Sequence, residues 1–180
     1  MKTKRDIIEL GTTPVGTAVY AWLDKPDPMG SDSQNYTPKF KVTIDFEPED
    51  IEEWLNNFKA KTKEFVTEES KKNGKQYTPK QLWSEVDGKI RVVFKSNVKP
   101  DGGRYFKVYD EEVKETDRAV WSNSKLRVKA LGMPYAMAKD NAGISPIIGA
   151  IQVAEFSTGS GGGKADFDPI KPDFNTEESW

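Results

Sequence analysis

Lysine and arginine alternate with apolar residues along three segments of the sequence. The segments are KFKVTIDF at 39–46, KIRVVFK at 89–95 and KLRVKAL at 125–131. Successive side chains of a β-strand point to opposite faces, so each segment predicts one apolar face and one basic face. Basic side chains bind a nucleic-acid backbone by neutralising phosphates and releasing counterions. The candidate phosphate contacts on these strands are Lys39, Lys41, Arg91, Lys95, Arg127 and Lys129.

Two further segments, TAVYAWL at 17–23 and RYFKVY at 104–109, carry aromatic residues at alternate positions. In the first segment, Val19 and Leu23 are the predicted core positions, and the aromatic rings face the other way. Exposed rings stack on unpaired bases, at about 1–3 kcal/mol per base, and they accept any base. This pattern predicts a surface for single-stranded nucleic acid with little sequence preference. Its outward residues are Tyr20, Trp22, Tyr105, Lys107 and Tyr109.

Each of these features also has an ordinary structural explanation. Lysine is common on the solvent face of an amphipathic strand, where it protects sheet edges from aggregation. Tyr20 and Trp22 can instead pack beneath a helix, because large rings usually find cover. The nucleic-acid interpretation depends on five strands that share a basic or aromatic second face, and it leaves Trp83 and Trp121 unassigned.

The composition excludes several classes of catalytic site. The 180 residues include no cysteine and no histidine, which removes disulfides, Cys/His zinc sites, thiol nucleophiles and imidazole bases. A Mg²⁺ site held by carboxylates, as in a nuclease, stays open in principle. However, the acidic residues are scattered or lie on one helix. We therefore expect no enzyme, no cofactor and no bound metal.

Several short strands and one helix must position the candidate residues. Residues 47–74 predict the helix, with Pro48 and acidic residues in its first turn and Gly74 just past its end. Apolar residues recur every three to four positions along it, which predicts one buried stripe. The members of that stripe are Ile51, Trp54, Leu55, Phe58, Thr62 and Phe65.

Turn signals separate the strands. The pair Asp87-Gly88 predicts a tight turn into a strand at 89–98, and PDGG at 100–103 predicts a hairpin between that strand and 104–109. A short helix is one interpretation of residues 79–85, and residues 147–156 predict a last apolar strand. Short strands with one inserted helix predict a mainly β fold built as a small barrel.

The sequence divides into a domain at 1–157 and a tail at 158–180. The tail reads TGSGGGKADFDPIKPDFNTEESW, in which a glycine-rich joint precedes five acids, two lysines and a terminal tryptophan. This composition predicts a disordered acidic C-terminal tail. No apolar run approaches the length of a membrane span or a secretory signal, so we expect a cytoplasmic protein.

An acidic tail and a basic surface on one chain predict competition. A flexible segment of this length spans on the order of 25 Å, enough to fold back over a small barrel. When nucleic acid displaces it, the tail becomes free to bind a partner through an aromatic anchor and flanking carboxylates. The candidate partner contacts are Asp173, Phe174, Glu177, Glu178 and Trp180. The alternative is a tail that serves only solubility.

Residues 12–29, TTPVGTAVYAWLDKPDPM, resemble the N-terminal segment of a group of bacteriophage single-stranded DNA-binding proteins. The resemblance extends through KFKVTIDF, the long helix, DGKIRVVFKSN and GISPIIGAIQVAEF, and so covers most of residues 10–157. The ending DFNTEESW is similar to the acidic tails, closed by an aromatic residue, of T7-like phage proteins. This resemblance implies an OB-fold, a five-stranded barrel. It also implies a role in phage DNA replication, recombination and repair, and a tail that contacts replication enzymes.

We therefore predict one OB-fold domain that binds single-stranded DNA without cofactor or catalysis. Lys25 joins the candidate contacts because it lies in the loop beside the first barrel strand, and such loops line OB grooves. Two alternatives remain. One is a protein-interaction scaffold whose tail recruits a polymerase, helicase or nuclease, and the other is a mediator of strand annealing that uses the same surface.

Overall fold

The computed structural model describes residues 6–157, which form eight strands and one helix. The first and last residues of the strands agree best with the sequence prediction where apolar and basic residues alternate. In chain order the elements are β1 (Ile8–Thr12), β2 (Gly16–Trp22), β3 (Lys39–Phe46), α1 (Pro48–Asn73), β4 (Trp83–Val86), β5 (Lys89–Asn97), β6 (Val108–Tyr109), β7 (Lys125–Ala138) and β8 (Asn141–Glu155).

Five of the strands close into a barrel. The order around the barrel is β2, β3, β5, β8 and β7, and β7 completes the ring by pairing with both β8 and β2. The contact between β5 and β8 is parallel, whereas the other contacts in the ring are antiparallel. β1, β4 and β6 add to β7, β5 and β8 respectively. The predicted fold class, an OB-type five-stranded barrel with an inserted helix, is confirmed.

Alternation fills the barrel with apolar side chains. Phe40, Val42, Ile44 and Phe46 of β3 are buried, and they lie opposite the β5 residues that also point inwards. Because the period of a strand is two, the same alternation puts the basic residues of β3 and β5 on the outside of the barrel.

Helix α1 covers the barrel on the side of β8, β1, β5 and β7. It begins with Pro48, which is suited to a first turn, and ends at Gly74, whose φ of 63° favours glycine. The predicted range 47–74 is therefore confirmed. The buried stripe is Ile51, Trp54, Leu55, Phe58, Thr62, Val66 and Glu69, so Val66 is more deeply buried than the predicted Phe65. Among residues 6–157, no helix is long and apolar enough to cross a membrane.

Two local predictions are wrong because strand pairing depends on distant residues. The first is the hairpin between 89–98 and 104–109. Arg104 forms a β-bridge with Val98, but the residues after Arg104 do not pair with β5. The free edge of β5 is already taken by β4 and β8, so β6 pairs in parallel with β8 instead. Residues 83–86 form strand β4 rather than part of a helix, because Asp87 and Gly88, with φ of 50° and 78°, turn the chain directly into β5.

Candidate nucleic-acid interface

The outer side of β2, β3 and β5 collects most of the predicted contacts. Trp22 lies opposite Lys41, and Lys41 lies opposite Lys95, so that one cross-strand row carries a ring and two cations. Neighbouring rows carry Tyr20 beside Thr43, Lys39 beside Asn97, and Asp45 beside Arg91. We call this surface the groove face, and it consists of Tyr20, Trp22, Lys39, Lys41, Arg91 and Lys95.

A β-bulge in β2 turns the two aromatic rings of that strand outwards. The register shifts by one residue between Ala18 and Tyr20. Before the shift Ala18 points into the barrel, and after it Leu23 does, with both fully buried. Val19, which the pattern assigned to the core, is only half-buried because it lies at the bulge. The prediction that Tyr20 and Trp22 face outwards is confirmed, and Tyr20 is 60% exposed.

Lysines crowd together at one end of the groove face. Partial burial of the Lys95 ammonium lowers its pKa, and the nearby charges of Lys41, Lys39 and Lys80 lower it further. Lys41 donates to Asp27 at 3.1 Å. Among residues 6–157, no carboxylate forms an ion pair with Lys95 or Lys80. This end of the face therefore carries positive charge that its surroundings do not compensate, which suits an anionic chain.

The other end of the groove face is neutralised by ion pairs. The Arg91 guanidinium donates to both oxygens of the Asp45 carboxylate, at 2.7 and 2.9 Å, and this pair raises the pKa of Arg91. Lys89 and Glu47 pair next to it. Arg91 is thus on the predicted face, but its charge already has a bidentate partner.

An aromatic groove of about 650 Å³ borders the face along β2. Tyr20, Trp22 and Trp121 all line it, and Trp121 is 49% exposed. Lys25 also lines the groove, with its Nζ 5.7 Å from the centre of the Trp22 ring. The predicted loop residue Lys25 therefore lies among rings that can stack on bases.

Trp121 is the groove residue that sequence reasoning did not assign. It lies in a loop without periodic pattern, and hydrogen bonds to β2 and to the residues just after β2 hold that loop in place. The Ala18 carbonyl accepts from Asn123 N at 2.7 Å, and Asp24 accepts from Val120 N at 3.3 Å. The available signal is a tryptophan that is followed directly by the polar run Ser122 to Ser124 and that belongs to no alternating segment.

Tyr105 borders the end of the barrel near the start of β3. Its loop is held by Arg104, which donates to the Leu23 carbonyl at 3.2 Å, and by Phe106, whose ring meets Phe40 edge-on. Tyr105 itself is 62% exposed, and Lys99 Nζ lies 5.5 Å from the centre of its ring.

Four predicted contacts lie on a different side of the barrel. Tyr109 is level with Gln152 of β8, and Gln152 is level with Arg127 of β7. Lys107 and Lys129 flank this row, which we call the β7–β8 face. In the closed order β2, β3, β5, β8, β7, the outer side of β7 and β8 points away from that of β3. The prediction that all strands share one groove is therefore wrong for Lys107, Tyr109, Arg127 and Lys129.

The chain leaves the barrel beside the loop of Trp121. Ser157 N donates to Ser124 Oγ at 3.0 Å. The predicted partner contacts Asp173, Phe174, Glu177, Glu178 and Trp180 lie outside the described residues. Within residues 6–157, no three acidic side chains gather as ligands for a metal ion.

Comparison with known proteins gives structural matches only. Neither a scan of protein-family models nor a search of curated proteins finds a match. The fold is similar to gp2.5, a single-stranded DNA binding protein encoded by bacteriophage T7, with TM-score 0.70 and 20% identity over 93% of this chain and 99% of that one.

The fold is also similar to the single-stranded DNA-binding protein of bacteriophage Enc34 in complex with ssDNA. That match has TM-score 0.60 and 12% identity over 87% of this chain and 97% of that one. A further structure of the Enc34 protein matches with TM-score 0.55 and 14% identity, over 94% of this chain and 99% of the other. The chain therefore has the fold of phage single-stranded DNA-binding proteins.

Proposed function

We propose that the protein binds single-stranded DNA without sequence preference and without catalysis, in phage DNA replication, recombination and repair in the host cytoplasm. One observation carries the proposal: exposed rings of the first barrel strand border lysines on the outer side of the second and third strands, and among residues 6–157 no carboxylate forms an ion pair with Lys39 or Lys95. That side is the usual nucleic-acid surface of an OB-fold. The similar Enc34 protein is described in complex with ssDNA, which supports the same ligand for this chain.

The two kinds of side chain have separate roles in this proposal. Tyr20, Trp22 and Trp121 stack on bases, and Tyr105 extends the stacking surface at the barrel end. Phosphates bind the cations that lack bidentate partners. These are Lys25, Lys39, Lys41 and Lys95, whereas Arg91 chiefly holds Asp45.

Binding of an oligo-dT strand at several salt concentrations tests the proposal. The double variant Lys41→Gln/Lys95→Gln should bind more weakly and should reduce the salt slope by about 1.4, since each phosphate contact on a single strand contributes about 0.7. Trp121→Ala should weaken binding by about 1–3 kcal/mol, the value of one stacked base.

Arg127→Gln/Lys129→Gln is the matched control, because it removes the same charge from the β7–β8 face. It should leave the salt slope almost unchanged. Equal losses in both double variants would contradict the groove, because they would show that only net charge matters.

The tail is proposed to contact replication proteins through Asp173, Phe174, Glu177, Glu178 and Trp180. The support is its sequence, which places carboxylates beside two aromatic anchors. Capture of a polymerase, helicase or nuclease by the full chain, and loss of that capture in Phe174→Ala/Trp180→Ala, would test this contact. Undiminished capture by the double variant would contradict it.

A further inference from the structure

A second basic cleft lies between α1 and the segment that leads into β4. Its volume is about 230 Å³, and Phe58, Leu82 and Trp83 form its apolar wall. Every charged residue that lines it is a lysine, namely Lys59, Lys63 and Lys80. We call it the helix cleft. A cleft with an aromatic wall and a uniformly positive rim fits an anionic ligand that carries flat rings.

The helix cleft repeats an arrangement found in the aromatic groove. Lys59 Nζ lies 4.5 Å from the centre of the Trp83 ring, as Lys25 lies over Trp22 and Lys99 over Tyr105. Each pair sets one cation beside one half-buried or exposed ring. A nucleotide needs both, because its base stacks on a ring while its phosphate pairs with a cation.

The helix cleft and the groove face meet at the edge of β5. Trp83 pairs with Val92 and shares its inward side, whereas Lys95, three residues further along β5, points outwards. Lys80 lines the cleft and is close enough to Lys95 to lower its pKa, and the Lys80 N–H donates to the Ala142 carbonyl at 2.9 Å. No acidic residue lines the helix cleft.

We propose that a single strand held on the groove face continues past Lys80 into the helix cleft, where Trp83 stacks on a base and Lys59 and Lys63 contact phosphates. This inference rests on the proposed function and deepens it, because it adds a subsite that only longer strands reach. An acidic peptide with an aromatic end is the competing occupant, and the test separates the two.

The test measures the affinity of the full chain for oligo-dT strands of increasing length, across roughly 4–16 nucleotides, the range of site sizes for one OB-fold. Lys59→Gln/Lys63→Gln should bind the shortest strands like the wild type. It should lose affinity for the longer strands, with a salt slope lower by about 1.4 on those strands alone. Both lysines are exposed, so the fold should tolerate the change.

Lys71→Gln/Lys72→Gln is the matched control, because it removes the same charge from the same helix outside the cleft. The inference would be overturned if the two double variants lost equal affinity. It would also be overturned if Lys59→Gln/Lys63→Gln lost the same affinity at every strand length, or lost none at any length. None of these results would contradict DNA binding by the groove face. Failure of the wild type to bind any strand would overturn both proposals. A synthetic DFNTEESW peptide that binds the wild type but not Lys59→Gln/Lys63→Gln would assign the cleft to a peptide and also overturn the inference.

Discussion

Lys95 and Arg91 lie on the same strand face but differ in electrostatic surroundings. Arg91 has a bidentate carboxylate partner, whereas partial burial of the Lys95 ammonium, and then the charges of the neighbouring lysines, lower the pKa of Lys95. A lowered lysine pKa means that the folded state holds the proton less tightly than the unfolded chain. At any pH below this lowered pKa, the charge on Lys95 therefore destabilises the folded state. The destabilisation decreases as the pH rises through the lowered pKa, because Lys95 then loses its proton in the folded state. A bound phosphate would remove the same destabilisation.

Lys95→Met should weaken DNA binding and yet stabilise the fold. Because Lys95 is exposed as a residue and only its ammonium group is partly buried, solvent still screens much of its charge. We expect a gain of about 0.5 kcal/mol, or roughly 1–2 °C in Tm. The gain should be present at neutral pH and shrink as pH approaches 10.5, the usual lysine pKa. Thermal unfolding of Lys95→Met and of Lys129→Met, a control on the β7–β8 face, checks this. A lower Tm for Lys95→Met at neutral pH would contradict the account.

For individual residues, the sequence predicts which side chains face outwards but not which side chains they contact. Alternation correctly placed Lys39, Lys41 and Lys95 on the outside of the barrel. The partner of Arg91 lies 46 residues away in the chain, and only the register of β3 on β5 brings it opposite. Trp121 has no periodic context, so no local pattern could assign it.

Strand β2 begins at a point where the barrel leaves no room for a side chain. A Cβ added to Gly16 would lie 2.6 Å from Ile44 Cγ2 and 2.7 Å from the Asp45 carbonyl oxygen. The second contact is with backbone, which cannot rotate away. Gly16 therefore permits the close crossing of β2 over β3 on which the groove face depends.

Gly16→Ala should destabilise the fold by about 1–3 kcal/mol, as overpacking of a core does. Gly143→Ala in β8 is the control, because its Cβ would lie 3.6 Å from Tyr135 Oη, an ordinary contact. The control should stay within about 0.5 kcal/mol of the wild type. Urea unfolding of both variants measures the difference. Similar stabilities for the two would mean that the start of β2 can shift without cost.

Elements with strong local alternation were predictable, and those defined by long-range pairing were not. The strand at 39–46 and the helix agree with prediction almost residue for residue. The prediction for 125–131 stopped short of Ala138 because Gly132 and Pro134 normally end a strand. Here both pair with β8, Gly132 with Pro146 and Pro134 with Ile144. The parallel pairing of β6 with β8 had no local signal.

Closure of the barrel decides which cations can act together. The sequence shows basic residues on several strands, but only the order of strands around the ring separates the groove face from the β7–β8 face. On the β7–β8 face Lys107 pairs with Glu115 at 3.4 Å, and Arg127 donates to Gln152 at 2.8 Å. The ion pair neutralises Lys107, and the order of strands keeps Arg127 and Lys129 apart from the lysines of the groove face.

Removal of residues 164–180 should tighten binding to oligo-dT at low salt. This segment carries two lysines and five acids, and we propose that it competes with DNA for the groove face. The difference between the full and shortened chains should narrow as salt rises, because screening weakens the competing contact. Affinity measurements for both chains across a salt series check the expectation. Equal affinities of the full and shortened chains at low salt would contradict competition by the tail.

The extra residue in β2 has a consequence for how this chain can change over time. Deletion of Val19 would remove the extra residue, and regular alternation from Ala18 would then still direct Tyr20 and Trp22 outwards. The rings would be directed into the barrel only if Val19 stayed and the register shift were lost. Lineages in which this surface keeps its rings should therefore tolerate replacement of Val19 and also its loss.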